Sequence, residues 1–326
     1  MRPETPLKPL CAAALPAATA VLFSLALLLP CCSDKPSTPA AGGKPVVFVC
    51  VPPHAGFARQ IADGFLDVRV LVQPGANPHT FEPSAAAMAE LSRADLYFRA
   101  GMPFEDALIA KLPAKPQGPR IVDLTEGIDL LADADADHDH EHPGEHEGHA
   151  APGPHEYRDP HVWLSPKLAA RQVQTMTDAL CAKYPDHAAT FRNNAAALTG
   201  RLAALDGRIA TELAPLKGRT FFVYHPAFSY FAAEFGLRQQ AVEVGGKSPS
   251  LKTTVDLIAR AKADGVKVIF VQPQFSATAA RTIADEIGGA VVPIDPLAED
   301  YFANMTALAE TIHKALAGEA APAGGS

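Results

Sequence analysis

The sequence predicts an α/β protein, and three observations carry that prediction. Short apolar runs alternate with amphipathic segments from Val46 to Ala317, in one group and then in a second. Alternation of this kind argues for parallel sheets covered by helices. Between the groups, Phe191, Ala195, Leu198, Leu202, Leu205, Ile209, Leu213 and Leu216 recur every three or four residues, which is one face of a long helix. No flexible Gly/Pro-rich linker separates the halves, so two lobes joined by a stiff helix should move little and any cleft between them should be pre-formed.

Taken in order, Val46–Val51 reads as a buried strand stopped by Pro52-Pro53, and Gly56–Phe65 as a helix. Val68–Val72 (strand), Pro83–Ser92 (helix), Leu96–Ala100 (strand), Glu105–Lys111 (helix) and Ile121–Leu124 (strand) complete the first unit. The second begins with the strand Thr220–Val223, the helix Ser229–Phe235 and the strand Gln239–Val242. It continues through Leu251–Ala263 (helix), Val268–Val271 (strand), Ser276–Ile287 (helix), Ala290–Ile294 (strand) and Tyr301–Ala317 (helix). The expected division is an N-terminal lobe over 45–186, a linking helix over 187–216, a C-terminal lobe over 217–318 and a tail over 319–326.

With 326 residues there is room for two ordinary domains, or one large one. A hydrophobic fraction of 48% excludes global disorder, and a net charge of −8 excludes a basic nucleic-acid binder. Seven carboxylates and no basic residue lie between Asp133 and His149, so the rest of the chain sums to only −1. The acidity is local.

Residues 1–32 read as an export signal: Arg2 and Lys8 precede an uncharged stretch from Leu10, with an apolar centre at Val21–Leu29 and a stop at Pro30-Cys31-Cys32. Leucines just before a cysteine resemble the bacterial lipoprotein signal, which implies a lipid anchor at Cys31 or Cys32. The residue before the cysteine departs from that pattern, being Pro30 or Cys31 where a small residue is usual. Residues 33–44 then form a tether, placing the protein in the periplasm or on the outer face of the cytoplasmic membrane. Cys50 and Cys181 remain in the folded part, too few and too far apart for a disulfide framework, and are expected as buried thiols.

Four loops set a good metal ligand beside a proline: Asn77-Pro78-His79, Asp159-Pro160-His161, His225-Pro226 and Asp295-Pro296. Proline stiffens a loop that must hold a ligand, and loops beyond strand ends are where open α/β sheets bind. Three imidazoles and one carboxylate suit tetrahedral zinc. Taken singly each position is weak, and periodicity alone does not bring four distant segments together.

The stretches Val72–Pro83 (VQPGANPHTFEP), Asp159–Pro166 (DPHVWLSP), Glu212–Gly218, Tyr224–Phe228 (YHPAF) and Ile294–Leu297 (IDPL) occur in an order that resembles the zinc/manganese solute-binding proteins of bacterial ABC importers, the cluster of ZnuA-like zinc-uptake proteins. The resemblance runs from Val46 to Leu316. It implies two four-stranded parallel lobes bridged by a rigid helix, no enzymatic activity, and a metal held between the lobes by His79, His161, His225 and Asp295. It also implies an inner-membrane permease with its ATPase as partners, and a monomer. Manganese-binding members resemble one another in placing glutamate at the third position; His225 there favours zinc by ligand softness and by the general affinity order. Manganese binding in the same importer class, or a zinc-dependent adhesive or structural lipoprotein, are the alternatives. A zinc hydrolase would need an open coordination position and a general base, which four protein ligands do not leave. Affinity should fall as pH drops through the histidine range.

From Ala132 to Glu156 no larger aliphatic or aromatic residue occurs, so this stretch has nothing to bury. It carries His138, His140, His142, His146, His149 and His155 among its acids, a composition suited to weak, multiple metal capture near the cleft. His142-Pro143-Gly144-Glu145-His146 fits the H-x-x-E-H spacing of one zinc-peptidase class, but Pro143-Gly144 will not supply the helix that chemistry needs. Gly246-Lys247-Ser248 lacks the first glycine of a phosphate-binding loop. His54 is expected in a loop, near the metal or at the surface; His187 and His313 are expected to face solvent, and Trp163 and Phe228 to pack around the ligands. In a calorimetric titration, deleting residues 133–149 is expected to remove the weaker zinc sites and leave one tight site; loss of the tight site would overturn the reading.

Overall fold

The computed structural model describes residues 43–114, 117–132, 158–243 and 247–318. The signal-like segment, nearly all of the tether, the histidine-rich stretch from residue 133 and the tail lie outside the described residues. Among the described residues, no helix is long and apolar enough to cross a membrane.

Two four-stranded parallel sheets form. The first holds β1 (Val46–Val49), β2 (Asp67–Val70), β3 (Leu96–Arg99) and β4 (Arg120–Asp123) in the order β2-β1-β3-β4. The second holds β5 (Thr220–Val223), β6 (Arg238–Ala241), β7 (Val268–Val271) and β8 (Ala290–Pro293) in the order β6-β5-β7-β8. Central strands covered on both faces read as unbroken apolar runs, as in VVFV of β1 and VIFV of β7. The edge strands β2, β4 and β6 carry polar residues, as in RQQA of β6. The strand order reverses between β1 and β3 and again between β5 and β7, the kind of switch point beyond which open α/β sheets bind their ligands.

The helices are α1 (Pro52–Ala62), α2 (Ala85–Leu91), α3 (Pro103–Ile109), α4 (Pro166–Lys183), α5 (Ala188–Leu213), α6 (Ser229–Phe235), α7 (Leu251–Ala263), α8 (Thr278–Glu286) and α9 (Tyr301–Ala317). Two differ from expectation. Helix α1 begins at Pro52, four residues early, because proline is tolerated in a first turn whose N–H groups have no helical partner. Cys181 is expected on a helix, but the apolar pattern sets no bounds for α4. Its buried face mixes Gln172 and Thr177 with Ala169, Val173, Met176 and Leu180, which dilutes the hydrophobic signal. It starts where Ser165 Oγ accepts from Leu168 N at 3.1 Å.

Seven of the eight residues in the periodic face read between the lobes form the buried face of α5, and Leu216 lies in the 3-10 turn that follows; none is more than 5% exposed. Helix α5 packs on α1, α4 and α9, and one continuous apolar cluster runs through the first lobe, α4, α5, α6 and α9. A second cluster lies between the C-terminal sheet and α7 and α8. The lobes therefore share a core. They also meet closely at Gly56, where a Cβ would stand 2.5 Å from the Glu299 carbonyl oxygen, and through the Arg59–Glu299 ion pair. Cys50 and Cys181 are buried free thiols, as expected.

His54 is a correction: it sits on α1, fully buried, bonded to Gln172 at 3.2 Å and edge-on to Trp163. Burial lowers its pKa from 6.5 to about 4, against the Gln172 bond that favours the cation. On α6, burial and the neighbouring Asp206 of α5 push the Glu234 carboxyl from 4.5 up to about 7, opposed by Ser165 and by Lys167 of α4. These groups act on stability with opposite sign. The unfolded chain protonates His54 below 6.5 while the fold resists until about 4, so stability present above 6.5, up to about 3 kcal/mol, is lost across that window on acidification. Glu234 contributes fully below 4.5 and loses its contribution as pH rises through about 7. Glu234→Gln is expected to unmask the His54 slope, so that urea midpoints fall more steeply with acidification between pH 6.5 and 4 than in the wild type.

Candidate metal centre

The loops that follow the parallel strands all leave their sheet at its C-terminal edge, and three histidines sit on such loops. His79 lies after β2 in the single 3-10 turn Pro78–Thr80, where Asn77 Oδ1 accepts from His79 N at 2.9 Å. His161 lies after β4, and Asp159 Oδ1 accepts from His161 N at 2.9 Å. The two Asx-Pro-His sequences are thus the same device: the side chain two residues back closes a turn on the histidine N–H, and the proline fixes the residue between. His225 follows β5 after one residue. Gln272, beyond the end of β7, clamps its backbone, accepting from His225 N at 3.1 Å and donating to His225 O at 2.6 Å.

The ligand atoms of His79, His161 and His225 all lie within 4.8 Å of one another. Among the described residues, this is the only group of three or more His, Cys, Asp or Glu close enough to share an ion. His79 Nε2 and His161 Nε2 are 3.4 Å apart. Zinc–nitrogen bonds of 2.0–2.1 Å at tetrahedral angles separate two nitrogens by about 3.3 Å. That spacing therefore fits two ligands of one zinc.

Each outer nitrogen of two rings is bound to a carboxylate. His161 Nδ1 lies 2.8 Å from Asp159 Oδ1, and His225 Nδ1 is bonded to the buried Glu243. This places Nδ1–H against the acid and leaves Nε2 as the lone-pair nitrogen toward the group. His225 Nε2 is buried with no hydrogen-bond partner. Such an atom is costly unless something accepts its lone pair. Burial pushes His79 down to about 2 and His225 well below the ordinary histidine range, and the neighbouring imidazoles add to both shifts. These rings stay neutral, the state that binds metal.

Of the four expected ligands, the fold gathers three. The Asp295 carboxylate stands outside the 4.8 Å group; its Oδ1 accepts from Gln274 Nε2 at 3.0 Å and Leu297 N at 2.9 Å. Its loop is nonetheless tied to the first lobe, since the indole N–H of Trp163 donates to Pro296 O at 2.8 Å. The Tyr301 hydroxyl donates to Trp163 O and the Tyr230 hydroxyl to Asp159 O, each at 2.8 Å. Trp163 is fully buried and its ring centroid lies 5.4 Å from that of His161. Phe228 is buried against Phe221, and the ring stacked on His225 is Phe275, at 4.8 Å. His187 and His313 are half-buried, His187 against Phe65 and His313 bonded to Glu212. The six histidines from His138 to His155 lie outside the described residues.

Glu243, Gln272 and Phe275 were not read from the sequence. One signal was there: Glu243 is a lone acid between Val242 and Val244, at the end of a strand.

A family profile described as the zinc-uptake complex component A, periplasmic (ZnuA), matches residues 47–315. The chain belongs to the ZnuA family. It is 32% identical over 281 residues to the zinc-binding lipoprotein AdcA of Streptococcus pneumoniae (TIGR4), covering 83% of this chain and 53% of AdcA. The chain thus spans about half the length of that curated relative. It is 31% identical over 285 residues to the high-affinity zinc uptake system protein ZnuA of Bacillus subtilis (strain 168), covering 82% of this chain and 84% of that one. A crystal structure of ZnuA superposes with a TM-score of 0.76 at 34% identity, over 84% of this chain and 99% of the other. A zinc-bound deletion mutant of ZnuA gives 0.74 at 34% identity, over 86% and 100%. The two-lobed architecture of this ZnuA-family chain is therefore that of solved members.

Proposed function

We propose that this chain captures extracytoplasmic Zn²⁺ and delivers it to the permease and ATPase of an ABC importer. His79, His161 and His225 hold the ion, and Asp295 completes the four ligands through the carboxylate oxygen that Gln274 and Leu297 do not engage. The observation that carries this reading is the group of three nitrogen donors within 4.8 Å, two of them backed by a carboxylate. Three imidazoles make a softer, less oxygen-rich site than manganese prefers. The zinc named in the AdcA and ZnuA relatives supports the same ion.

Zinc is cargo here, and no bond is made or broken. Asp159 and Glu243 are each bound to an Nδ1, which supports a binding role. The chain acts as a monomer, exported by residues 1–32 and anchored through lipid at Cys31 or Cys32; AdcA is itself named a lipoprotein. Histidines 138, 140, 142, 146, 149 and 155 collect zinc weakly beside the cleft. Because the shared core and the Trp163, Tyr230 and Tyr301 bonds hold the lobes together, docking releases the ion by moving ligand loops rather than by opening a hinge.

Competitive Zn²⁺/Mn²⁺ titration of the protein is expected to show one tight zinc site that manganese does not displace, and His225→Ala is expected to lose it. A tight zinc site retained by that variant would show the ligand assignment to be wrong. The lowered pKa values of His79 and His225 move proton competition below the ordinary histidine range. Zinc affinity should therefore fall less steeply between about pH 8 and about pH 6 than three ordinary imidazoles would make it, a correction to the fall expected through the histidine range. A tenfold loss already between pH 7 and 6 would contradict it.

A further inference from the structure

The parallel register of the second sheet fixes what stands beside His225. Strand β5 pairs with β6 as Thr220↔Arg238 through Val223↔Ala241, an offset of 18. It pairs with β7 as Phe222↔Ile269 and Val223↔Phe270, an offset of 47. Carried two residues past the strand end, the same offsets set His225 between Glu243 and Gln272. The pairing does persist that far: Val242 N donates to Val223 O at 2.8 Å and Glu243 N to Tyr224 O at 3.0 Å. Gln272 then takes the backbone of His225, as described, and Glu243 takes Nδ1 of its ring. Phe275 stacks on one face of the ring.

The two carboxylates of the centre differ in how they are attached. Asp159 lies two residues from His161 in one loop, and its Oδ1 serves both the backbone N–H and Nδ1 of that histidine, so the pair moves as a unit. Glu243 reaches His225 across the sheet, from a different loop.

We propose that Glu243 is the positioning residue of the C-terminal half of the site: its buried carboxylate holds His225 with Nε2 aimed at the cation. This rests on the reading of His225 as a zinc ligand. Glu243 makes no contact with the ion. It selects the tautomer, restrains the ring against rotation, and sets a negative charge behind a neutral ligand, which raises the ligand's basicity toward a cation.

The test uses the full chain and Zn²⁺ in competition with a chromophoric chelator, comparing wild type, Glu243→Gln, Glu243→Ala and His225→Ala. Glu243→Ala is expected to weaken zinc by about 10- to 100-fold, the usual range for loss of such a partner. Glu243→Gln keeps an oxygen that accepts from Nδ1 and loses the charge, so it should fall between wild type and alanine. In the metal-free protein, ¹⁵N-resolved spectra of His225 should show a single Nδ1–H tautomer in wild type and in Glu243→Gln, and a mixture in Glu243→Ala. A merely structural role would not move that signature. The proposal is overturned if either folded Glu243 variant binds zinc within about twofold of wild type, or if the tautomer is unchanged in Glu243→Ala. The His225→Ala arm separates the two readings. If that variant keeps the tight site, the ligand assignment fails; if it loses the site while the Glu243 variants keep it, only the role of Glu243 fails. Should Glu243→Ala not fold, the near-isosteric Glu243→Gln decides through its affinity.

Discussion

The buried face of α5 is the constraint on which the rest of the structure depends. Eight side chains from Phe191 to Leu216 lie against both lobes and leave almost no surface to water. Fully burying a large apolar side chain is worth about 1.5–3 kcal/mol, so separating the lobes along this face would expose a sum that no single polar contact offsets. One shared core makes the distance between the lobes a packed quantity. A centre that takes two histidines from the first lobe and one from the second needs that, because a drift of an ångström would spoil its geometry.

Within that frame the electrostatics are arranged in layers. Neutral imidazoles are the only ordinary nitrogen ligands that bury at modest cost, and burial itself keeps His79 and His225 unprotonated. The carboxylates sit one hydrogen bond further out, on Asp159 and Glu243, where they fix the rings through Nδ1. His225 Nε2 is buried without a hydrogen-bond partner, a cost that a bound cation would remove.

The loops achieve this with few residues. Asn77 and Asp159 each close a turn on the histidine two residues later, and the intervening prolines remove the freedom that would blur ring positions. Trp163 extends the stiffening across the lobes, with its indole bonded to the Pro296 carbonyl and its own carbonyl bonded by Tyr301.

The sequence by itself determined the α/β class, the strand positions to within a residue or two, the linking helix and the placing of His79, His161 and His225 on loops after strands. These signals are local: apolar runs, a 3.6-residue period, and Asx-Pro-His turns carried within a few residues of chain. It put Cys181 on a helix but set no bounds for α4, whose buried face holds Gln172, bonded to His54 only in the assembled core, and Thr177, bonded to Val173 O of its own helix. It placed His54 in a loop, because the choice between loop and first helical turn at Pro52-Pro53 depends on packing against Trp163 and Gln172. Only the tertiary structure decided that three expected ligands converge while Asp295 is engaged by Gln274 and Leu297, and that Glu243 and Gln272 flank His225. Those neighbours lie 18 and 47 residues away along the chain. Sheet register brings them together, and register is a property of paired strands, which no single stretch of sequence carries.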